Sequence, residues 1–312
     1  MIVVVGSLAF DFVMNFPGKF AEHIMPDKIH ILNLSFLTDK LRKNFGGTAA
    51  NISYNLALLG ERPAILATAG KDFASHKKFL KKSAIETRYI KIYKSDFTSN
   101  YFAIVDKSDN QIGAFYSGVM KKANKLSLKK IKEPVDFMII SPTDPKAIIK
   151  LAVECQKSKI PYMFDPGMQL PILTKNQLLK GVKGAKILIG NDYEISSIQK
   201  KLGLSKRKLL SKVEILITTL AEKGSIIQIK QKSFKIKPAK PKNVSDPVGA
   251  GDAYRAGFMV GFLRDFDLRT CGQMGSITAV YTVEKCGTST HRFTKKQFCD
   301  RYRHNFKKKL KL

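Results

Sequence analysis

The sequence predicts an α/β protein: a central, mostly parallel β-sheet flanked by helices on both faces, with a small separate β-sheet. Three observations predict it. Short runs rich in apolar and β-branched residues alternate with helix-like segments along most of the chain. The runs are apolar throughout, as expected of strands buried on both faces of a parallel sheet. The alternation breaks down in two places, where no βα rhythm can be read.

In chain order, buried strands are expected at residues 2–5, 64–67, 137–140, 162–164, 187–189 and 215–218. Helices are expected at 49–59, 146–155, 193–202, 252–263 and 271–284. The first interruption covers 17–43 and contains the strand-like run Ile29-His30-Ile31-Leu32-Asn33-Leu34. The second covers 87–118 and reads as strands at 89–93, 100–105 and 112–116, the last two joined through Lys107-Ser108-Asp109-Asn110. A small sheet outside the main one can cover an active site, or pair with a second copy, and the two roles can coexist.

A chain of 312 residues holds one large α/β domain and a small appendage without needing two full domains. The hydrophobic fraction, 44%, is ordinary for a globular protein. No apolar run is long enough to span a bilayer, and Ile2 to Val5 is no signal peptide, so no membrane partner and a cytoplasmic location are expected. Cys155, Cys271, Cys286 and Cys299 lack metal-type spacing, as do the five histidines, which leaves reduced structural thiols. Charge is the outlier: 55 Lys and Arg against 25 Asp and Glu, a net +30. Such a field attracts polyanions and speeds the arrival of an anionic nucleotide. The lysines are dispersed and no nucleic-acid-binding motif accompanies them, so solvated faces, and no specific nucleic acid partner, are the expectation.

The densest chemical signal is Asp246-Pro247-Val248-Gly249-Ala250-Gly251-Asp252, running directly into the helical Ala253-Tyr254-Arg255-Ala256-Gly257-Phe258. Gly249, Ala250 and Gly251 are small enough for backbone N–H groups to approach an anion, and the helix adds its positive dipole end. Asp252, in the first turn, is placed to accept a proton. An anion hole with a carboxylate base at its lip suits phosphoryl transfer to an alcohol. The plainer alternative makes Asp252 a helix cap after an ordinary loop.

Further segments accompany this one in order: Gly6-Ser7 through Asp11; Gly46-Gly47-Thr48-Ala49-Ala50-Asn51; Leu58-Leu59-Gly60; and Asn191-Asp192-Tyr193-Glu194. Together they resemble the signatures of the PfkB/ribokinase family of sugar and nucleoside kinases, over nearly the full length of the chain. The resemblance implies a ribokinase-like α/β fold with a β-sheet lid: residues 1–15, 44–86 and 119–312 as the large domain, 16–43 and 87–118 as the lid. It implies ATP and Mg²⁺ as cofactors and a small-molecule acceptor, with the protein a monomer or a homodimer through the lid. A monovalent cation near Asp246, bound in some relatives, is not claimed here.

By this resemblance Asp252 is the general base, and the amides of Val248 to Gly251 hold charge on the transferred phosphoryl group. Asp11, past the first strand's C-terminal end, accepts hydrogen bonds from two substrate hydroxyls. Gly46, Gly47 and Asn51 complete the substrate side. Asn191 and Glu194 place phosphates and Mg²⁺, Glu194 partly through water; the same pair reads equally as a helix cap with a first-turn glutamate. Thr219, Ala221 and Gly224 match the nucleotide loop, with Ala221 where a glycine is usual, and Val283 and Gly287 resemble the wall around adenine. Phe164-Asp165-Pro166-Gly167 and Tyr254-Arg255-Ala256-Gly257 resemble a prokaryotic adenosine-kinase-like branch. A nucleoside needs an apolar slot, which Phe12, Met14, Phe16 and lid aromatics such as Phe102, Phe115 or Tyr116 could line; the same side chains suit a lid core. An inosine/guanosine-type nucleoside kinase, a ribose or fructose kinase, and a catalytically silent module binding nucleotides or polyanions are the other readings.

Overall fold

The structure, a computed structural model, describes all 312 residues. Its strands are β1 (Ile2–Val5), β2 (Ala9–Asn15), β3 (Lys40–Gly46), β4 (Ala64–Ala69), β5 (Ile90–Ile92), β6 (Ser99–Val105), β7 (Gln111–Tyr116), β8 (Phe137–Ile140), β9 (Tyr162–Phe164), β10 (Ile187–Asn191), β11 (Ile215–Thr219), β12 (Ser225–Ile229) and β13 (Lys232–Ile236). The helices are α1 (Thr48–Leu58), α2 (Ala74–Lys82), α3 (Pro145–Lys157), α4 (Lys175–Val182), α5 (Asp192–Leu202), α6 (Lys206–Leu210), α7 (Ala250–Leu263), α8 (Leu268–Val283) and α9 (Lys295–Phe306).

Nine strands form the large sheet in the order β13-β12-β11-β10-β9-β8-β1-β4-β5, parallel except for the β12–β13 edge. Its central strands β1, β8 and β9 are buried on both faces, which is why they are apolar at every position, whereas the edge strands β5 and β13 are largely exposed and carry lysines. Val4, Ile139 and Ile189 face the core shared with α1, α7 and α8; Val3, Val5 and Leu188 face the core under α3, α4 and α5. Because β1 lies between β8 and β4, the chain leaves it in both directions, and the crevice at the C-terminal strand ends opens there. Ser7, Thr48 and Ser141 knit that point together: the Ser141 hydroxyl lies 2.9 Å from Thr48 Oγ1, and the Thr48 amide donates to Ser7 Oγ at 3.1 Å.

The small sheet has four strands in the order β3-β2-β6-β7, with β2 parallel to β6 and the outer pairs antiparallel. Three features depart from the sequence expectation. Ile29 to Leu34 forms no strand: a 3-10 segment, Pro26–Ile31, leads into irregular exposed chain, since the run has no partner strand and Pro26 sits at its start. The strands from this part of the chain are its flanks, β2 and β3, so Ala9–Asn15 and Lys40–Gly46 belong to the small sheet across the boundaries drawn at 15 and 44. The run at 89–93 supplies β5, which pairs with β4 at the edge of the large sheet instead.

Candidate active site

α7 begins where the chain turns sharply. Asp246 braces the turn: its Oδ1 accepts from the Val248 amide at 2.9 Å and its Oδ2 from the Gly287 amide at 3.0 Å. The amides of Ser245 and Asp246 donate to the Val283 carbonyl. Gly249 then takes a left-handed conformation, φ +81°, and a Cβ there would lie 2.9 Å from Thr288 Cγ2. Only glycine fits both demands. The bracing alters which amides are available. Val248 donates to Asp246 and Ala250 to the Pro247 carbonyl, whereas those of Gly249, Gly251 and Asp252 find no acceptor in the chain. The free amides thus lie toward the helix from the Val248-to-Gly251 set expected to meet an anion, and the Ala250 N–H is already engaged.

Asp252 projects from the first turn of α7, and Asn51 Nδ2 on α1 donates to its Oδ2 at 2.9 Å. Asn51 is 5% exposed, and its Oδ1 accepts from Ser289 Oγ at 3.4 Å. Burial pushes the Asp252 carboxyl above the ordinary aspartate range, Arg255 and the Asn51 bond pull it down, and Glu194 adds to the push.

Asp11 stands on β2 opposite Asn44 of β3. Burial, then the carboxylates of Asp246 and Asp252, raise its pKa to about 6. Gly46 makes room for it: a Cβ there would lie 2.2 Å from Asp11 Oδ2. Gly47, which follows it, caps α1.

Phe12 and Met14 lie elsewhere. Successive strand residues point to opposite faces, so the neighbours of Asp11 turn away from it. Phe12 stacks on Phe102, centroids 5.0 Å apart, with Lys43 Nζ 5.3 Å above its ring. Phe16 packs against Phe20 and Phe36 below the sheet's far end, and Tyr116 hydrogen bonds to Asp96. Of the aromatics expected to line a slot, Phe115 alone shares the Asp11 row, through Tyr101; Val13 and Ala103 follow on the same face.

A carboxylate at a helix N-terminus, free amides beside it and a second carboxylate on the small sheet suit phosphoryl transfer, and known proteins are similar to this chain. The family described as "pfkB family carbohydrate kinase" matches residues 1–295. The chain belongs to the pfkB family. A nucleoside kinase of Methanocaldococcus jannaschii is 31% identical over 292 residues, 93% of this chain and 92% of that one. The Burkholderia thailandensis nucleoside kinase in complex with inosine superposes with a TM-score of 0.89 at 29% identity, covering 99% of each chain. The same enzyme in complex with ADP-inosine gives a TM-score of 0.88 at 30% identity, over 100% of this chain and 98% of that one. Membership makes the chain a phosphotransferase with an alcohol acceptor.

The remaining pfkB-like positions lie along the large sheet's C-terminal edge. Asn191 and Glu194 form a capping box on α5, Asn191 Oδ1 accepting from the Glu194 amide and Glu194 Oε2 from the Asn191 amide, each at 2.8 Å. Both border a cleft of about 500 Å³ with Met168, Leu170 and Tyr193. The cap uses one oxygen of Glu194 and leaves the other for solvent or a ligand. Thr219 ends β11, and its Oγ1 donates to the Gly190 carbonyl at 3.5 Å. Ala221 holds φ +49°, the left-handed conformation a glycine would take freely, while the Leu220 amide and Gly224 carbonyl close the loop at 2.8 Å. The loop therefore keeps its backbone course in spite of the substitution. Val283 and Gly287 hold the Asp246 turn through their backbones, as described above.

One element went unassigned in the sequence. Arg255 Nε lies 2.6 Å from Asp165 Oδ2, with both residues buried directly behind the first turn of α7. The available signals were an arginine one helical turn after Asp252 and an aspartate closing the strand Tyr162–Phe164; nothing local in the chain links them.

Proposed function

We propose that this protein is an ATP-dependent nucleoside kinase that transfers the γ-phosphoryl group to a hydroxyl of an adenosine- or inosine-like nucleoside. The observation that carries the reading is Asp252 at the start of α7, bonded to Asn51 beside the free amides of Gly249, Gly251 and Asp252, with the Asp11 carboxylate near enough to repel it. Asp11 accepts hydrogen bonds from a vicinal diol, which both of its oxygens can serve. Asp252 takes the proton of the attacking hydroxyl, and the amides at the α7 terminus receive the charge that develops on the phosphoryl oxygens. The base rests on the lid face formed by Val13, Ala103 and Phe115, rather than on Phe12 and Met14.

ATP runs past the Thr219–Gly224 loop, its adenine toward Val283 and Gly287. No group of three or more His, Cys, Asp or Glu residues is arranged to hold a metal ion. That suits Mg²⁺, which keeps most of its waters and leans on phosphate oxygens, with Glu194 as an outer partner through water. Bound there, the metal would neutralise charge on the phosphate chain.

The test is ADP production with Mg·ATP and a panel of adenosine, inosine, ribose, fructose and fructose 6-phosphate. A nucleoside with the lowest KM supports the reading. Preference for a sugar keeps the phosphoryl transfer and discards the base slot.

A further inference from the structure

Arg255 follows Asp252 by three residues on α7, so the two side chains leave the same side of the helix. Arg255 is 7% exposed and Asp165, in the loop after β9, 2%. A Cβ on Gly251 would lie 2.8 Å from Arg255 Nη1, so the guanidinium is packed against the turn that carries the free amides. An ion pair this deep contributes little net stability, because desolvating both charges offsets their attraction. Asp165 Oδ1 and Arg255 Nε both lack a hydrogen bond of good geometry, so charge is what joins the pair. The pair's placement therefore has to be explained by what it faces.

What it faces is the base. The charged groups around Asp252 are Arg255 on its own helix, Glu194 on α5, Asp165 after β9 and Asp11 on β2; Asn51 on α1 is a neutral donor. Arg255 is the cation among these carboxylates, paired with Asp165 at 2.6 Å. We propose that Arg255, clamped by Asp165, is a positioning residue for phosphoryl transfer, its fixed positive charge keeping Asp252 ionised beside the anion hole. The proposal rests on Asp252 being the general base; it does not depend on which alcohol is the acceptor. The directions of the pKa shifts agree with it: Arg255 pulls Asp252 down, while Asp165 and Glu194 in turn favour the charged guanidinium.

The test compares wild type with Asp165→Asn/Arg255→Gln and with Asp165→Asn alone. The double variant removes both charges together, because removing the arginine alone would strand a buried carboxylate. The ascending limb of kcat against pH is expected to move up by about one unit or more in the double variant. Its kcat at pH 7 then falls about tenfold and recovers in alkaline buffer, with KM for ATP and acceptor changed by less than about twofold. Asp165→Asn, which leaves the arginine unneutralised, is expected to move the limb the opposite way. A loss of kcat that is uniform across pH in the double variant, or an unmoved limb in both variants, overturns the proposal. A titration of the ¹³C-labelled Asp252 carboxyl, assigned with Asp252→Asn, reads the same shifts without any acceptor. It keeps a failure of the nucleoside reading separate from a failure of this one.

Discussion

Asn51 Nδ2 donates a 2.9 Å hydrogen bond to Asp252 Oδ2, joining residues 201 positions apart. The bond ties α1, which springs from the small sheet, to α7, which carries the anion hole. It favours the ionised carboxylate and holds it in one orientation. Asp252→Asn is expected to lower kcat by about 10²–10⁴-fold, as loss of a general base does. Asn51→Leu is expected to lower kcat by about tenfold, and to shift the ascending pH limb upward because a bond to the charged form is lost. Steady-state kinetics from pH 5 to 9 check both.

Asp11 gives a pH dependence of its own. Its folded-state pKa is raised from 3.8 to about 6, so the folded protein binds a proton that the unfolded chain has released between those values. Its contribution to stability is therefore present below pH 3.8 and is lost as pH rises through about 6. Asp11→Asn is expected to raise Tm at pH 8 and to leave it nearly unchanged at pH 4. Binding runs in the opposite sense: the carboxylate is the better acceptor for hydroxyls, so the wild-type KM for the acceptor should fall as pH rises from 5 to 7. An Asp11→Asn variant without extra stability at pH 8 would falsify the placement of this carboxylate beside Asp246 and Asp252.

Gly46→Ala separates the substrate side from the phosphate side. The added Cβ would lie 2.2 Å from Asp11 Oδ2, so the carboxylate has to swing away. The acceptor KM should rise about tenfold or more, the range for losing a charge-assisted hydrogen bond, with little change in the KM for ATP. Initial rates with each substrate varied in turn measure the split.

Ala221 carries strain that a glycine would relieve. A non-glycine residue at φ +49° costs about 1–2 kcal/mol, and glycine's greater freedom in the unfolded chain offsets about 0.5–1 kcal/mol of any gain. Ala221→Gly is thus expected to stabilise the protein by roughly 0.5 kcal/mol, and Ala221→Val to destabilise it by more than about 1 kcal/mol. Urea unfolding midpoints decide the matter.

The small sheet's outer face is apolar and open, with Leu41 64%, Phe102 40% and Ile112 44% exposed. A second copy of the chain would cover it, as expected if the lid is the dimer contact. Phe102→Asp should then shift the mass seen by light scattering from dimer to monomer, and a wild-type mass of one chain would remove the idea.

The large sheet was legible because its strands sit between two helical layers, and burial on both sides leaves a continuous apolar run. The α7 turn was legible because Gly249 and Gly251 stand together before an apolar helix. The small sheet was legible only in part. β3 reads Lys-Leu-Arg-Lys-Asn-Phe-Gly, polar enough to pass for a loop, and becomes a strand through backbone pairing with β2. Ile29 to Leu34 has a strand's composition, yet no neighbour offers it a ladder. Which amides of the turn stay free was not legible, because the spending of the Val248 amide on Asp246 depends on a turn geometry that composition does not encode.

The chain alone fixes the features whose physics is local: buried strands, helix starts, and glycines where the backbone turns left-handed or comes close to a neighbour. Tertiary structure decided which of them meet. Strand alternation sends Asp11 into the cavity and Phe12 out of it, but only the pairing with β3 and β6 says which face is which. The bond from Asn51 to Asp252 and the ion pair of Asp165 with Arg255 join distant parts of the chain. Such contacts exist because burial removes competing water and leaves each charge or amide with the partner the packing brings, and no stretch of sequence carries that choice.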